Sequence, residues 1–310
     1  MKILVTGSHG LVGQKTVELF ARCRTYTLIL TSRQEQSIFD EPNLVYRQMD
    51  ITNKKSIRTV LDELEPEIII NAAAYVDVDA CEHDRATAWQ VNASGVENLV
   101  HASKLIGAKI IQVSTDYIFD GKNGPYDEQE RPSPINYYGK TKLAAENILR
   151  TSGISYAILR TLFLYGAGFQ TKANFPDKVL KALESGEQVK APDDQFSNPT
   201  LADDVAYAIL KVVELNRSGV YNIGGPVWMS RFEFAKKIAS AFGHDKRKII
   251  PVKMASMKQI AQRPLKSGFV TLKAEFDLGL KTTPIEQGLL MYKSQLQQYK
   301  EFAGEGVSQR

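Results

Sequence analysis

Through the first half of the chain, short runs rich in β-branched residues alternate with longer segments whose apolar positions recur every third or fourth residue. The runs Ile3–Thr6, Tyr26–Thr31, Val45–Met49, Ile68–Asn71, Lys109–Ser114 and Tyr156–Arg160 read as strands. Between them, Gly10–Cys23, Lys55–Leu64, Arg85–Leu105 and Tyr138–Thr151 read as amphipathic helices that lay one apolar face on a sheet. Such alternation marks βαβ units, so the expected class is α/β, a Rossmann-type doubly wound parallel sheet. After Tyr165 the rhythm weakens. Helices are expected at Pro176–Glu184, Ala202–Asn216 and Phe232–Phe242, a short strand at Val220–Ile223, and a frayed tail over the last eight residues, AGEGVSQR. This second part reads as a smaller, mixed α/β domain.

Composition acts mainly by exclusion. Of 310 residues, 39 are Lys or Arg and 35 are Asp or Glu, and a net charge of +4 is too small for the basic field of a dedicated nucleic-acid binder. No window approaches the roughly 18 apolar residues of a membrane span. The N-terminus enters a strand at once, without a leader-like apolar stretch and cleavage site. Cys23 and Cys81 lie outside any CxxC or Cys/His spacing, which fits two buried free thiols in a reducing compartment. The expectation is a cytoplasmic protein without nucleic-acid or membrane partners. No metal site is expected, because His83, His101 and His244 show no ligand spacing, and Asp77, Asp79, Glu82 and Asp84 read as a solvated helix start.

The first strand runs into Gly7-Ser8-His9-Gly10-Leu11-Val12-Gly13, and a helix follows. Glycines at these positions permit a tight turn, close approach to a pyrophosphate and close strand–helix packing, while the helix N-terminus offers unpaired N–H groups to the anion. The segment reads as a dinucleotide cradle with His9, Leu11 and Val12 inside it. An NAD site places a carboxylate about 20 residues further on, to accept from the ribose hydroxyls. Here the second strand ends in Thr31-Ser32-Arg33, with no carboxylate before Glu35. Ser32 and Arg33 therefore favour the 2′-phosphate of NADP(H), with NAD(H) possible. Asp50 and Ile51 are placed to meet the adenine, and Asn71, Ala72, Ala73 and Ala74 stand where the cofactor must pass.

Tyr138 and Lys142 lie four residues apart, on one face of a predicted helix. An ammonium there lowers the pKa of the phenol, and the phenol can give a proton to a carbonyl oxygen as hydride reaches the carbon. Thr115, in Ser114-Thr115-Asp116 at the end of the fifth strand, offers a hydroxyl to hold that carbonyl. With the glycine cradle, these features resemble the extended short-chain dehydrogenase/reductase family over nearly the whole chain. Within it, Asn71–Val78 (NAAAYVDV), Ser114–Gly121 (STDYIFDG), Tyr138–Leu143 (YGKTKL), Arg160–Gly166 (RTLFLYG), Asp194-Gln195 with Pro199-Thr200, and Arg263-Pro264 with Ser267 resemble dTDP-4-dehydrorhamnose reductases.

That resemblance implies catalytic roles for Thr115, Tyr138 and Lys142, and reduction by NAD(P)H of the C4 ketone of a nucleotide-linked 6-deoxy sugar, the last step towards dTDP-L-rhamnose. It places Asn92 near the nicotinamide together with Tyr138 and Lys142. Tyr75, Asp116, Tyr117, Phe119, Phe163, Asn174 and Gln195 would surround the sugar, and Arg263 would meet its diphosphate. It implies a cofactor domain over residues 1–163, to which the chain returns near 193–223, and a substrate domain over 164–192 and 224–310, in a monomer or homodimer. One departure concerns the sugar: Leu162-Phe163 stands where the family often has tryptophan, and phenylalanine cannot donate an indole hydrogen bond. Related epimerases and dehydratases share the fold, but the dehydratases usually carry Asp-Glu after the threonine, where this chain has Asp116-Tyr117. The regulatory β-subunit of methionine adenosyltransferase, a non-catalytic NADP binder, is a further alternative.

Overall fold

The computed structural model describes residues 1–23, 25–41 and 44–305. Strands β1 (Lys2–Thr6), β2 (Thr27–Ser32), β3 (Leu44–Gln48), β4 (Ile68–Asn71), β5 (Lys109–Thr115) and β6 (Tyr156–Thr161) join the strand Gly219–Ile223 in one sheet of seven. The order across it is Gly219–Ile223, β6, β5, β4, β1, β2, β3, and each neighbouring pair is parallel. Chain order reverses between β1 and β4, where sheets of this kind open a ligand crevice at the carboxyl ends of their strands.

The α-helices are α1 (Leu11–Ala21), α2 (Lys54–Leu64), α3 (Val78–His83), α4 (Arg85–Trp89), α5 (Gly95–Ile106), α6 (Tyr137–Thr151), α7 (Phe175–Glu184), α8 (Ala202–Glu214), α9 (Arg231–Ala241), α10 (Leu272–Leu278) and α11 (Ile285–Glu305). Successive strand residues point to opposite faces, and the helices cover both. Ile3, Val5, Leu28, Leu30, Ile68 and Ile70 pack with Val17 and Phe20 of α1 and Val205, Ile209 and Val212 of α8. On the other face, Leu4, Ile29, Ile69, Ile110 and Ile158 meet Ile57, Val60 and Leu61 of α2, Val96, Leu99 and Val100 of α5, and Ala145 and Leu149 of α6. A third core joins Val179, Leu180 and Leu183 of α7 to Phe234 and Ile238 of α9 and to Ile285, Leu289 and Tyr292 of α11. No described helix is long and apolar enough to cross a membrane.

Several expectations need correction. The continuous helix expected over Arg85–Leu105 is broken by a π-helical turn at Gln90–Ser94, a distortion common at functional sites. Within that turn the Asn92 side chain accepts from Tyr75 N at 2.7 Å and donates to Tyr75 O at 3.1 Å. The segment around α10, expected in the substrate part, instead sends Ala274, Leu278 and Leu280 into the core beneath the sheet. Helix α11 escaped the sequence reading, because its apolar contacts are widely spaced along a polar chain. It takes in the first three of the eight residues expected as a tail, and the remaining five lie outside the described residues. Both cysteines are free, but Cys23 is only half-buried.

One buried ion pair locks α6 to the sheet. Glu146 and Arg160 have side chains 0% exposed and meet through three contacts, Nη2–Oε2 at 2.8 Å, Nε–Oε1 at 3.0 Å and Nε–Oε2 at 3.3 Å. Ser114 Oγ donates to Glu146 Oε1 at 2.7 Å, so β5, β6 and α6 share one carboxylate. Glu146→Ala leaves the Arg160 guanidinium buried and unpaired, and is expected to cost about 3–5 kcal/mol in urea unfolding. A loss below about 1 kcal/mol would contradict the structural role given to the pair.

Candidate active site

The first strand delivers the chain into Gly7, whose φ of 65° is left-handed. A Cβ there would stand 2.7 Å from Ala73 N, and one on Gly13 would stand 2.2 Å from Gly7 O. Only glycines allow β1, the turn and α1 to approach so closely. Gly10 caps α1 without any side-chain hydrogen bond, and its N–H donates to Gly7 O at 2.9 Å. The opening amides of α1 thus have no capping side chain, and the cap residue Gly10 lines the crevice. This cradle, which a single Cβ would fill, fits a dinucleotide pyrophosphate.

A cleft of about 260 Å³ extends from the cradle across the ends of β1 to β4. It is lined by Gly7, His9, Gly10, Ser32, Arg33, Asp50, Ile51, Ala72, Ala73, Ala74 and Tyr75, and by Thr6, Gln34, Met49, Thr87 and Val91, which the sequence reading missed. At its rim the Ser32 hydroxyl is taken by Tyr46 Oη at 2.8 Å and Gln34 N at 3.0 Å, while Arg33 is exposed. Asp50 Oδ1 accepts from both Thr52 N and Thr52 Oγ1 at 2.8 Å. His9 is anchored by a 3.1 Å contact between Nε2 and Gln36 O, and burial holds its pKa below the ordinary value.

Other residues expected at the cofactor do not line this cleft. Asn71 is fully buried, accepting from Thr6 Oγ1 at 2.5 Å and donating to Gln112 Oε1 at 2.7 Å, so it bridges three strands and does not line the cleft. Leu11 lies against Gly166, and Val12 packs on the core. Gly13 provides the close contact described above. Asn92, bonded to Tyr75 and donating to Thr141 Oγ1 at 3.0 Å, fastens the cleft wall to α6.

Asn136 caps α6 by accepting from Gly139 N at 2.8 Å, and this sets Tyr138 and Lys142 on the face towards β5. Tyr138 is 9% exposed, and Tyr117 meets its ring edge-on at 5.8 Å. Burial pushes the Tyr138 phenol well above its ordinary pKa, and the Thr115 hydroxyl pulls it partly back. Lys142 Nζ donates to Val113 O at 2.8 Å, and burial lowers its pKa to about 8 against the opposing pull of Glu146. The expectation that Lys142 depresses the tyrosine is therefore not met: desolvation dominates both groups, and the ammonium is turned to a carbonyl. Thr115 Oγ1 accepts from Tyr117 N at 3.2 Å and donates to Asp116 Oδ1 at 3.2 Å.

The residues expected around the sugar divide. Asp116 is buried against Thr115 and the Ser267 hydroxyl, and burial raises its pKa to about 6. Phe119, only 1% exposed, stacks on Tyr126 at 4.3 Å and belongs to the core rather than to a pocket. Asn174 caps α7 and donates to Gly166 O at 2.7 Å, leaving its amide engaged in the fold. Arg263, with a side chain 11% exposed, pairs with Asp79 at 3.0 Å. Phe163 sits at a φ of 43°, rare for an aromatic residue, and turns its ring under the Arg231 guanidinium at 3.7 Å. Gln195 Oε1 accepts from Arg231 Nε at 2.6 Å.

Arg231 was missed in sequence, although one signal was present: it is the first residue of α9, where the helix dipole disfavours a cation. The acidic group also resolves into separate tasks. Asp77 and Asp84 cap α3 and α4, Asp79 holds Arg263, and Glu82 accepts from Tyr137 N at 2.7 Å. Among the described residues no cluster of three or more His, Cys, Asp or Glu side chains is arranged to hold a metal ion.

Comparison with known proteins agrees with this architecture. The sequence pattern of the RmlD substrate binding domain matches residues 1–298. The probable low-salt glycan biosynthesis reductase Agl14 of Haloferax volcanii is 32% identical over 302 residues, covering 96% of this chain and 99% of that protein. A crystal structure of a dTDP-4-dehydrorhamnose reductase from Clostridium acetobutylicum superposes with a TM-score of 0.85 at 30% identity, covering 96% of this chain and 100% of that one. The dTDP-4-dehydrorhamnose reductase of Bacillus anthracis, solved in complex with NADP, gives 0.84 at 31% identity, covering 94% and 98%. The chain belongs to the RmlD substrate-binding domain family.

Proposed function

We propose that this NAD(P)H-dependent oxidoreductase reduces the C4 ketone of a nucleotide-linked 4-dehydro-6-deoxy sugar, dTDP-4-dehydro-L-rhamnose to dTDP-L-rhamnose, with NADPH as the preferred donor. The observation that carries the reading is the buried set Thr115, Tyr138 and Lys142, of which Tyr138 shares a packed cluster with Tyr75 of the wall of the cleft around the dinucleotide cradle. The reduced nicotinamide, when bound, supplies the hydride. Gly7, Gly10 and the first amides of α1 hold its pyrophosphate, and Ala72 to Ala74 leave room for its backbone.

Burial keeps the proton on Tyr138 Oη until a substrate oxygen gains negative charge, and the phenol then gives it up. Lys142, one helical turn away and held on Val113 O, contributes its positive charge to the same buried helix face. Thr115 orients the phenol from the end of β5. Elimination of water finds no support here, because Tyr117 follows Asp116 and the Asp116 carboxyl is engaged by Thr115 and Ser267.

Oxidation of NADPH, followed by loss of its absorbance, is expected with a 4-dehydro-6-deoxy nucleotide sugar, and none across a panel of such sugars would overturn the reading. Tyr138→Phe should bind NADPH normally and turn over at least about 100-fold slower. The Lys142 charge is present below its pKa of about 8, so kcat/KM should fall as pH rises through that value. Lys142→Met should lack this alkaline limb, and an unchanged limb would assign it to another group. Arg33→Ala should raise the KM for NADPH by roughly 10-fold or more while leaving that for NADH unchanged. Equal effects on both would remove Arg33 from cofactor choice.

A further inference from the structure

Three arginines lie among the residues expected around the sugar, Arg160 over Phe119, Arg231 over Phe163 and Arg263 near Tyr117, and their charges are treated differently. Arg160 is matched by Glu146 at 2.8 Å and Arg263 by Asp79 at 3.0 Å. Among the described residues Arg231 has no carboxylate within the 4.0 Å of an ion pair. It is nevertheless held rigidly. Its Nε donates to Gln195 Oε1 at 2.6 Å, its backbone N–H donates to Gln195 O at 3.0 Å, and its plane lies over Phe163 at 3.7 Å with Phe175 at 5.3 Å.

Three costs fall on this guanidinium. Burial holds it below its ordinary pKa, and the Arg263 cation acts in the same direction, with only partial relief from Tyr117 and Asp116. Its place in the first turn of α9 adds the positive end of a helix dipole. A fixed, half-buried cation beside a second cation and a helix N-terminus is an arrangement that a bound anion would stabilise. Nε is engaged by Gln195 and the guanidinium also reaches the Tyr117 hydroxyl, which leaves the rest of its donor edge for phosphate oxygens.

We propose that Arg231 anchors the diphosphate of the nucleotide-sugar substrate, with Gln195 and Phe163 as the residues that hold it in place. This rests on the reading of the substrate class given above. The cofactor's own pyrophosphate belongs at the Gly7–Gly13 cradle, so the two anions have separate sites. Phe163 then acts by supporting the guanidinium, which supplies at this wall the donors that a phenyl ring lacks.

The test is calorimetric titration of the NADPH-loaded protein with thymidine, uridine and guanosine 5′-diphosphates, and with the uncharged nucleosides. The wild type is expected to bind at least one diphosphate, and Arg231→Gln to bind it roughly 10- to 100-fold more weakly, with NADPH affinity within about 2-fold of wild type. Wild-type affinity in Arg231→Gln overturns the proposal. So does a parallel loss of NADPH and diphosphate affinity in Arg231→Lys, which retains the charge and should weaken the diphosphate alone by about 3- to 10-fold. If the wild type binds none of the diphosphates, the nucleotide-sugar reading fails and takes this proposal with it.

Discussion

A carboxylate sealed from water, Glu146, is held by Arg160 from β6 and by Ser114 from β5 while it rides on α6. The rest of the site depends on this grip. Lys142 and Tyr138 lie one and two turns before Glu146 on the same helix face, so fixing one carboxylate fixes the heights of both above the sheet. Thr115 is the residue after Ser114, and its position is set by the same contact. A charged pair of this kind adds little net stability compared with well-packed apolar residues, but it tolerates only one register between helix and strands. That requirement suits a proton donor, which must sit within hydrogen-bond reach of its acceptor.

The electrostatics of the crevice follow from the same economy of partners. The carboxylates of the acidic group each make a structural contact: Asp77 and Asp84 cap helices, Asp79 pairs with Arg263, and Glu82 accepts from Tyr137 N. Asp116 is the exception in kind. It is buried with two hydroxyl partners, and burial raises its pKa against the opposing pull of those hydroxyls and of the Arg231 cation. Arg231, close enough to act on Asp116, shows the complementary condition: among the described residues no carboxylate lies within 4.0 Å of its guanidinium. These groups surround Tyr117 and Tyr138 and set the local field in which the phenol keeps its proton.

The strand–helix alternation and the glycine spacing were legible because each reflects local rules: period two in strands, a near-four repeat in helices, and backbone contacts that exclude a Cβ. The sequence could not tell lining residues from supporting ones. Asn71, Asn92, Phe119 and Asn174 were expected at the cofactor or the sugar, yet each is spent on holding the fold together, because a buried amide or ring gives no sequence sign of which way it faces. Arg263 seemed a free cation until folding placed Asp79 beside it, and Arg231 was overlooked because its aromatic floor comes from segments far away in sequence. The break at Gln90–Ser94 was hidden for the same reason, since the contacts that accompany it, between Asn92 and Tyr75, are tertiary.

The central claim is that this site delivers hydride to a sugar ketone and a proton to its oxygen. It is tested most directly by incubating the protein with a 4-dehydro-6-deoxy nucleotide sugar and NADPH deuterated at its transferable position. The product should carry one deuterium on the former carbonyl carbon, read by mass spectrometry and proton NMR. A dehydrated or epimerised sugar without deuterium, or a sugar recovered unchanged, would contradict the account.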